Sequence, residues 1–282
     1  MPPEARVTRF APSPTGLLHL GHAYAALVAQ QRAGAGRFLL RIEDIDQTRC
    51  RPEFEALIFE DLHWLGLSWP APVMRQSDRM AAYQHALTKL AVSGLVYPCR
   101  CSRGDIRAAL SAPQEGVVLH GPDGPVYPGL CRGRSMLDAG PQDALRLDMR
   151  KAVRGLSRLS FMEHGPCRGG HHVVDPDRLV AEVGDVVLSR RDMGTSYHLS
   201  VVVDDAGQGI TEVTRGADLY AATFLHVLLQ ALLELPFPDY YHHKLIRDEH
   251  GKRLAKRDAA RAVSHLRAEG VTPQEISLRV GL

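Results

Sequence analysis

The sequence predicts an α/β fold with a parallel, doubly wound sheet that is interrupted by a smaller insertion. Strand-like and helix-like segments alternate along the chain, which is typical of such sheets. Acidic residues follow a strand-like segment at its carboxyl end, where these sheets bind their ligands. From about Tyr97 to Asp185 the chain instead carries many Pro and Gly residues and several short strands. We therefore expect two halves of a sheet domain, residues 1–96 and 185–246, around an inserted subdomain, residues 97–184.

The first elements of the chain read as a strand, a tight turn and the start of a helix. Residues 7–11 predict a short buried strand, and residues 12–16 predict a turn because they contain two Pro, two hydroxyl side chains and a Gly. Residues 23–32 are good helix formers, and Gly34 ends the helix. Backbone N–H groups at such a helix start favour a bound anion.

Two histidines, His19 and His22, lie on either side of Gly21 at this helix start. Because they are three residues apart, both rings can offer an N–H donor to the same anion. Gly21 lets a flat ligand approach the backbone. An isolated pair with this spacing would more simply predict two structural histidines that cap the helix. Within the complete stretch, the pair favours a phosphate-binding crevice.

A second strand is predicted at residues 37–42, and the carboxylates of Glu43, Asp44 and Asp46 come directly after it. Three acidic residues among four are usually part of a solvated turn. At the end of this strand, and beside the first turn, they predict a site for an amine or for a metal-bound phosphate.

The remaining elements of the sheet domain are predicted from apolar periodicity. Amphipathic helices are expected at residues 52–67 and 78–90, the second capped by Ser77. We expect the sheet to resume at residues 185–188. The nearly continuous apolar run at residues 199–205 then predicts a strand that is buried on both faces.

The C-terminal part of the sequence predicts helices and a charged turn. Residues 222–235 predict a strongly apolar helix, and residues 247–282 predict a charged loop followed by a short helical segment. Within that segment, a basic helix is expected at about residues 259–269. Thr272 and Glu275 then predict a capping box at the start of a terminal helix.

Three thiols in the insertion suggest a metal site. Cys99 and Cys101 are two residues apart, Cys131 lies further along the chain, and Tyr127 lies four residues before it. A thiolate-rich tetrahedral site suits zinc, but spacing alone leaves the fourth ligand open between Tyr127 and His120. The alternative is that the three thiols are small buried hydrophobic side chains.

Composition limits the classes of function. The formal net charge is +2, so a polyanionic partner must be bound by a local patch rather than by the whole surface. No apolar run approaches the length of about 20 residues that a membrane span needs, and the N-terminus lacks a signal pattern. The five cysteines are unevenly spaced, which fits a reducing compartment. We therefore expect a cytoplasmic protein that does not contact membranes.

Residues 9–22, which include His19-Leu20-Gly21-His22, resemble the first motif of the class I aminoacyl-tRNA synthetases. Residues 9–16 and 41–46 resemble more specifically the glutamyl-tRNA synthetase branch. The resemblance implies a Rossmann-like catalytic domain, and it implies that the residue matching Glu43 contacts the amino group of bound glutamate. The glutamate-binding residues that it implies are Arg9, Ala11, Ser13, Glu43, Tyr197 and Arg215.

Residues 253–257, read as Arg-Leu-Ala-Lys-Arg, resemble the second motif of the class, Lys-Met-Ser-Lys-Ser. They depart from it at Arg253 and at Ala255, where a hydroxyl contact would be lost. The resemblance implies catalytic roles for His19, His22 and Lys256, the last neutralising charge on the phosphates of ATP. The ATP-binding residues that it implies are Pro12, His19, Gly21, His22 and Lys256.

The glutamyl-queuosine subgroup of this family carries Cys-x-Cys followed by Tyr-x-x-x-Cys. The similarity implies one structural zinc held by Cys99, Cys101, Tyr127 and Cys131. It also implies activation of L-glutamate by ATP with Mg²⁺, then transfer of the glutamyl group to the queuosine base in the anticodon of tRNA(Asp).

The expected RNA partner depends on the short segment after the second motif. The 25 residues at 258–282 are too few for the anticodon-binding domain of a glutamyl-tRNA synthetase, so we expect none here. We also expect a monomer. Two alternatives remain: a truncated glutamyl-tRNA synthetase that charges tRNA(Glu), and an inactive RNA-binding paralogue. Basic residues near the cleft end of the chain are expected to track the RNA backbone; they are Lys244, Arg247, Lys252, Arg253, Arg257, Arg261 and Arg267.

Overall fold

The structure, a computed structural model, describes residues 5–111, 120–122, 124–246 and 262–282 of the chain. The described strands are β1 (Val7–Phe10), β2 (Arg37–Ile42), β3 (Met74–Arg75), β4 (Val96–Cys99), β5 (His120–Gly121), β6 (Gly124–Pro125), β7 (Ala144–Leu147), β8 (Ser160–Glu163), β9 (Gly170–Val173), β10 (Val187–Ser189), β11 (Glu212–Gly216) and β12 (Asp239–His243).

Helices pack on and between these strands. The described α-helices are α1 (Leu20–Ala33), α2 (Pro52–Trp64), α3 (Met80–Val92), α4 (Arg103–Ser111), α5 (Met149–Ala152), α6 (Pro176–Arg178), α7 (Tyr197–Gly207), α8 (Tyr220–Leu233), α9 (Val263–Ala268) and α10 (Pro273–Val280).

The predicted parallel sheet is present as two adjoining parts. Strands β1, β2 and β3 pair in parallel, and β11, β12 and β8 pair in parallel with β9 added antiparallel at one edge. The two parts meet where β1 runs beside β11. There the backbone N–H of Thr211 donates to the carbonyl of Val7 over 3.0 Å. The carboxyl ends of β1, β2 and β11 therefore lie near one another, as the fold class requires.

The apolar run at residues 199–205 forms helix α7, so the strand prediction for it was wrong. A run that is buried on all sides has no periodicity that separates a strand from a helix. Ser196 favours the helix locally, since its hydroxyl oxygen accepts the backbone N–H of Leu199 at the start of the helix. The two acids at the end of the run, Asp204 and Asp205, are buried and face inward.

Two further predictions were wrong. The parallel sheet does not resume at residues 185–188, because β10 pairs antiparallel with β7 of the insertion. Ser77 does not cap a helix, because it lies within a 3₁₀ turn, Gln76–Arg79, that precedes α3. Its hydroxyl instead donates to Asp44 over 2.6 Å, which ties the segment after β2 to this turn.

Other local predictions are confirmed. Helix α1 ends at Gly34, which has φ = 55°, a conformation that favours glycine. The terminal helix α10 begins with the predicted capping box between Thr272 and Glu275. The basic helix near the C-terminus is α9, and residues 259–261 of its predicted range lie outside the described residues.

Two apolar clusters hold the elements together. One lies between α3, α7 and α8 and the sheet part that contains β11 and β12. The other packs α1, α2 and the C-terminal helices against β1 and β2. Across the described part of the chain, no helix has the length and apolar character that crossing a membrane requires.

Candidate active site

A cavity of about 1270 Å³ opens beside the carboxyl ends of β1 and β2. Its wall is formed by the turn after β1, the segment after β2, the insertion and the loop that leads into α7. The wall includes three residues predicted to bind glutamate, Ser13, Glu43 and Tyr197. It also includes Cys101 and Tyr127 of the predicted metal site, so the two predicted sites share one cavity.

Arg9 of β1 and Glu43, which follows β2, are joined through Asp205 of α7 and Arg41 of β2. The guanidinium of Arg9 donates from Nε and Nη2 to the two carboxylate oxygens of Asp205 over 2.8 and 3.2 Å. The guanidinium of Arg41 donates to Asp205 over 2.6 Å and to Glu43 over 3.0 Å. The side chains of Arg9, Arg41 and Asp205 are at most 6% exposed. One buried carboxylate therefore holds two arginines.

The charges in this group set the pKa values of its acids. Burial raises the pKa of Asp205, but the guanidiniums of Arg9 and Arg41 outweigh it and lower this pKa to about 2. Burial also raises the pKa of Glu43, and there the charge of Arg41 offsets it only in part, so the pKa stays raised. Glu43 is thus a carboxylate whose ionised form a further cation would stabilise, which suits an amine ligand.

Arg215 lies behind the cavity wall, with 6% of its surface exposed. Its Nε donates to His242 over 3.1 Å, and its Nη2 donates to the hydroxyl of Thr223 over 2.8 Å. Its charge nevertheless acts on the cavity. Burial raises the pKa of the Tyr197 phenol, and Arg215 and Arg9 both oppose that rise. The structure therefore gathers Arg9, Glu43, Tyr197 and Arg215 around one end of the cavity, with the two arginines behind its wall.

The backbone of the first turn completes this end of the site. Ala11 and Ser13 are half-buried and Pro12 is buried. The carbonyl of Pro12 accepts the backbone N–H of Glu43 over 3.0 Å, which fixes the turn after β1 against the segment after β2. Predicted residues from the two segments are thus held together by the main chain as well as by side chains.

His19 and His22 lie at the start of α1 with their rings stacked, the centroids 3.8 Å apart. The Nδ1 of His19 accepts the backbone N–H of Gly21, and the Nδ1 of His22 accepts the backbone N–H of His19. Since each Nδ1 accepts, the proton of each neutral ring is on Nε2. A Cβ at Gly21 would lie 3.0 Å from the His19 ring, so a larger residue here would press on that ring.

Lys256, the predicted phosphate-binding lysine, lies outside the described residues. The chain that carries it nevertheless returns to the first motif. Ala262 forms an antiparallel bridge with His19, and the backbone N–H of Val263 donates to the carbonyl of Leu18 over 2.8 Å. The residues shortly after the second motif therefore contact the first.

The predicted metal-site residues meet at one point. The Sγ atoms of Cys99, Cys101 and Cys131 lie within 4.8 Å of one another. The phenol oxygen of Tyr127 lies 3.4 Å from Sγ of Cys99 and 3.3 Å from Sγ of Cys101. The exposed side chain of His120 is not part of this cluster.

The spacing of these atoms suits a tetrahedral ion. Zn–S bonds of about 2.3 Å place two sulfur ligands about 3.8 Å apart; Cys101 and Cys131 are 3.4 Å apart. Burial raises the pKa of Cys131, but hydrogen bonds, the first from the backbone of Arg100, bring it down to about 7. Burial raises the pKa of Cys101 to about 11, so a metal would have to displace a proton there. This cluster could hold a metal ion.

Sequence reasoning missed several functional side chains. Asp205 was read as the end of a strand, and the buried residues around Arg215 gave no local signal because they come from three separate elements. Arginines in the cavity wall were also missed, since they are scattered along the sequence; they are Arg49, Arg103, Arg107, Arg146, Arg190 and Arg191. Three of them lie in regular elements, Arg103 and Arg107 in α4 and Arg146 in β7, and no local pattern marks them.

An α/β fold with His-x-Gly-His at the start of its first helix, an acid after its second strand and a thiol-bearing insertion defines the catalytic domain of a class I tRNA synthetase. The family described as "tRNA synthetases class I (E and Q), catalytic domain" matches residues 6–117 and 172–281. The chain belongs to this family. It is accordingly a ligase that uses ATP, with an amino acid and tRNA as substrates.

Among the similar curated proteins, the Glutamyl-Q tRNA(Asp) synthetase of Rhodobacter capsulatus is 58% identical over 281 residues, which cover 98% of this chain and 100% of that protein. The protein of the same name from Albidiferax ferrireducens is 41% identical over 268 residues, 91% of this chain and 86% of that protein. A solved glutamate tRNA ligase from Elizabethkingia meningosepticum is 28% identical with a TM-score of 0.68. This chain is 91% covered by that match but spans only 53% of the ligase.

Proposed function

We propose that this protein activates L-glutamate with ATP and transfers the glutamyl group to the queuosine base in the anticodon of tRNA(Asp). The observation that carries the proposal is the 58% identity to a Glutamyl-Q tRNA(Asp) synthetase over that protein's whole length. Since tRNA is the acceptor, we expect the reaction in the cytoplasm.

In the proposed glutamate site, Arg9 and Arg215 supply positive charge for the two carboxylates, and Glu43 supplies negative charge for the amino group. Arg9 keeps N–H donors beyond the three that contact Asp205 and Thr214, because a guanidinium carries five. We assign the remaining contacts to Tyr197 and Ser13, which line the cavity, and to the backbone at Ala11. The raised pKa of Glu43 supports the amino-group assignment, because an ammonium ion would relieve its burial.

In the proposed ATP site, the Nε2–H groups of His19 and His22 face the phosphates, with Pro12 and Gly21 shaping the turn. We assign Lys256 to the same phosphates because the chain after it bridges to His19 at Ala262. A glutamate carboxylate oxygen attacks the α-phosphorus, and pyrophosphate leaves with the bond to that phosphorus. Mg²⁺ bound with ATP supplies further positive charge. Positioning and charge neutralisation carry this step, without a covalent enzyme intermediate.

We propose that the metal of the insertion is one structural zinc, held by Cys99, Cys101, Cys131 and Tyr127. Three sulfur ligands favour zinc over oxygen-seeking cations. The distances of 3.3 and 3.4 Å from the phenol oxygen to two of the sulfurs favour Tyr127 over His120 as the fourth ligand. Such an ion would fix the cavity wall that Cys101 and Tyr127 form.

An RNA acceptor fits the charge of the cavity. Six arginines and four acidic residues line it, and most of the arginines come from the insertion and the loop before α7. The excess of guanidinium groups favours the phosphates of an RNA backbone. The C-terminal basic residues contribute less than expected. Arg267 pairs with Glu60 over 2.8 Å, and Lys244 lies over the ring of Tyr24. Five of the predicted set lie outside the described residues: Arg247, Lys252, Arg253, Arg257 and Arg261.

The second candidate is ordinary charging of tRNA(Glu), which the similarity to a solved glutamate tRNA ligase favours. Transfer of labelled glutamate to tRNA(Asp) with queuosine, tRNA(Asp) without queuosine and tRNA(Glu) separates the two. We expect label only on the first. Label on tRNA(Glu), or equal label on both forms of tRNA(Asp), would favour the second candidate.

A further inference from the structure

A series of buried polar side chains runs through the core behind Arg215. It begins at Glu163 of β8 and passes through His242 of β12 to Arg215 of β11. From there it continues through His226 of α8 to His198 of α7, which lines the cavity. Each of the five is at most 6% exposed. The contacts are 2.5 Å from Glu163 to His242, 3.1 Å to Arg215, 3.0 Å to His226 and 2.9 Å to His198.

The donors and acceptors of this series permit one assignment of protons. Arg215 can only donate, so the Nε2 of His242 and the Nδ1 of His226 must accept. His242 therefore carries its proton on Nδ1 and donates it to the carboxylate of Glu163. By the same reasoning, His226 carries its proton on Nε2 and donates to the Nδ1 of His198. Every histidine of the series is neutral, and each has one tautomer.

The surroundings support neutral rings. Burial lowers the pKa of His226 well below its ordinary value, and the charge of Arg215 lowers it further. Burial likewise lowers the pKa of His242, with Glu163 opposing only in part. For Glu163, burial raises the pKa but the hydrogen bonds from His242 outweigh it, so the carboxylate stays ionised. The series thus contains one anion and one cation, separated by a neutral ring.

Glu163 is itself fixed on both oxygens. Its Oε1 accepts the backbone N–H of His242 over 2.9 Å and that of Gly165 over 2.6 Å, while Oε2 accepts from the His242 ring. A Cβ at Gly165 would lie 2.5 Å from this carboxylate and closer still to the backbone of β12, so the loop passes too near for a side chain. Within the described part of the chain, two backbone donors and one ring therefore hold this acid.

We propose that Glu163 and His242 are positioning residues. They fix the tautomer of the His242 ring and, through it, the orientation of the Arg215 guanidinium. In this way they determine how tightly the cavity binds the amino acid. Three of the five N–H donors of Arg215 are used by His242, His226 and Thr223 among the described residues. Two remain for a ligand carboxylate. The inference rests on the proposed function, since it takes glutamate as the ligand of Arg215.

Glu163→Gln tests the series while keeping the size of the side chain. The amide oxygen can keep both backbone N–H donors, which directs the amide NH₂ toward the Nδ1 of His242. Two donors would then face each other, so the His242 ring must move its proton to Nε2. That proton points at Arg215, which can only donate, and the guanidinium is displaced.

The measurement is glutamate-dependent ATP–pyrophosphate exchange with tRNA(Asp) present, with KM determined for glutamate and for ATP. For Glu163→Gln and for His242→Ala we expect the KM for glutamate to rise on the order of 10- to 100-fold, because a charge-assisted contact is lost. The KM for ATP should change less than about twofold. His242→Gln keeps an oxygen for Arg215 to donate to, so its KM should lie between the parent and His242→Ala.

Tyr240→Phe is the matched control. It removes a buried hydrogen bond from Tyr240 to Gln230, which joins β12 and α8, and it keeps the aromatic ring that lies 5.4 Å from the Arg215 guanidinium. Both KM values should stay at the parent values. Nitrogen-15 spectra of the histidine rings provide a second measurement: His242 should carry its proton on Nδ1 in the parent and on Nε2 in Glu163→Gln.

Each outcome decides a separate point. An unchanged KM for glutamate in a folded Glu163→Gln protein overturns the positioning role and leaves the proposed function standing. If that variant does not fold, a parent His242 that is protonated, or that carries its proton on Nε2, overturns the role. A parent protein that exchanges pyrophosphate with no dependence on glutamate overturns the proposed function, and this inference with it.

Discussion

Replacing Asp205 by Asn should destabilise the protein far more than its size suggests. Among the described residues, Asp205 is the one carboxylate that contacts both Arg9 and Arg41, and all three side chains are at most 6% exposed. Its pKa of about 2 lies about two units below its ordinary value. A shift of one unit corresponds to about 1.4 kcal/mol, so the ionised form contributes on the order of 2–3 kcal/mol.

Asparagine keeps one oxygen acceptor but loses the charge, and it leaves guanidinium donors unpaired in the core. Breaking a buried ion pair by removing one partner typically costs about 3–5 kcal/mol. We therefore expect Asp205→Asn to lower the free energy of unfolding by about 3 kcal/mol at pH 7. Urea denaturation followed by circular dichroism measures this directly, provided the slope of the transition is unchanged.

The control is a surface ion pair with the bidentate bonding that joins Arg9 to Asp205. Arg178 donates to both oxygens of Glu182 over 2.9 and 2.8 Å, but both side chains are more than half exposed. Glu182→Gln should change the urea midpoint very little, because solvent screens such a pair. If Asp205→Asn were as stable as Glu182→Gln, the argument that a single buried acid holds both arginines would be refuted.

The stability contribution of Asp205 should also depend on pH, in a direction that its pKa determines. The folded pKa of Asp205 lies below its unfolded pKa, so its contribution is present above about pH 4 and is lost as the pH falls toward 2. The stability difference between the parent and Asp205→Asn should therefore shrink over that interval. Other acids titrate there too, but they are common to both proteins and cancel in the difference. A difference that stays constant down to pH 2 would contradict the assignment.

Four further outcomes are expected. His22→Ala and Lys256→Ala should each slow glutamate-dependent pyrophosphate exchange on the order of 10²–10³-fold without unfolding the protein, and parental exchange would refute either role. Glutamine should support exchange at least about 100-fold less well than glutamate, because its amide leaves buried guanidinium donors unpaired; equal rates would contradict this. Chelator-washed protein should contain about one zinc per chain by elemental analysis. Tyr127→Phe should retain less zinc than the parent, and equal retention would show that another group is the fourth ligand. Burial raises the pKa of Asp61 to about 6, above its unfolded value, so stability should fall as pH rises from about 4 to 6, and Asp61→Asn should abolish that fall in urea midpoints.

Local chemistry predicted the parts of the fold that depend on neighbours in sequence. The end of α1 at Gly34 and the capping box of Thr272 and Glu275 result from backbone preferences at single positions, and both are present. The bounds of β2 were also predicted, because six apolar and arginine residues between a Gly and an acid leave little choice. These features need no knowledge of the rest of the chain.

Predictions that depend on tertiary contacts were less successful. The run at residues 199–205 is apolar because it is buried, and burial alone does not distinguish α7 from a strand. The strand β10 was predicted correctly as a strand, yet its partner is β7, far away in sequence. The sequence pattern of a strand does not indicate which other strand it will pair with. The site was affected in the same way: Arg215 was predicted, but His226 and His242 were not.

The helical form of residues 197–207 explains how one element serves both ends of the site. Tyr197 and His198 lie at its N-terminal end and line the cavity, whereas Asp204 and Asp205 lie two turns later. In a helix, that separation is about 10–12 Å, so the acids reach the arginines of β1 and β2 beneath the cavity floor. As a strand, the same residues would span more than about 20 Å and point alternately to opposite faces. Tyr197 at one end and Asp205 at the other could then not both face the group formed by Arg9, Arg41 and Glu43. The element that sequence patterning misread is therefore the one that couples the cavity to its buried charges.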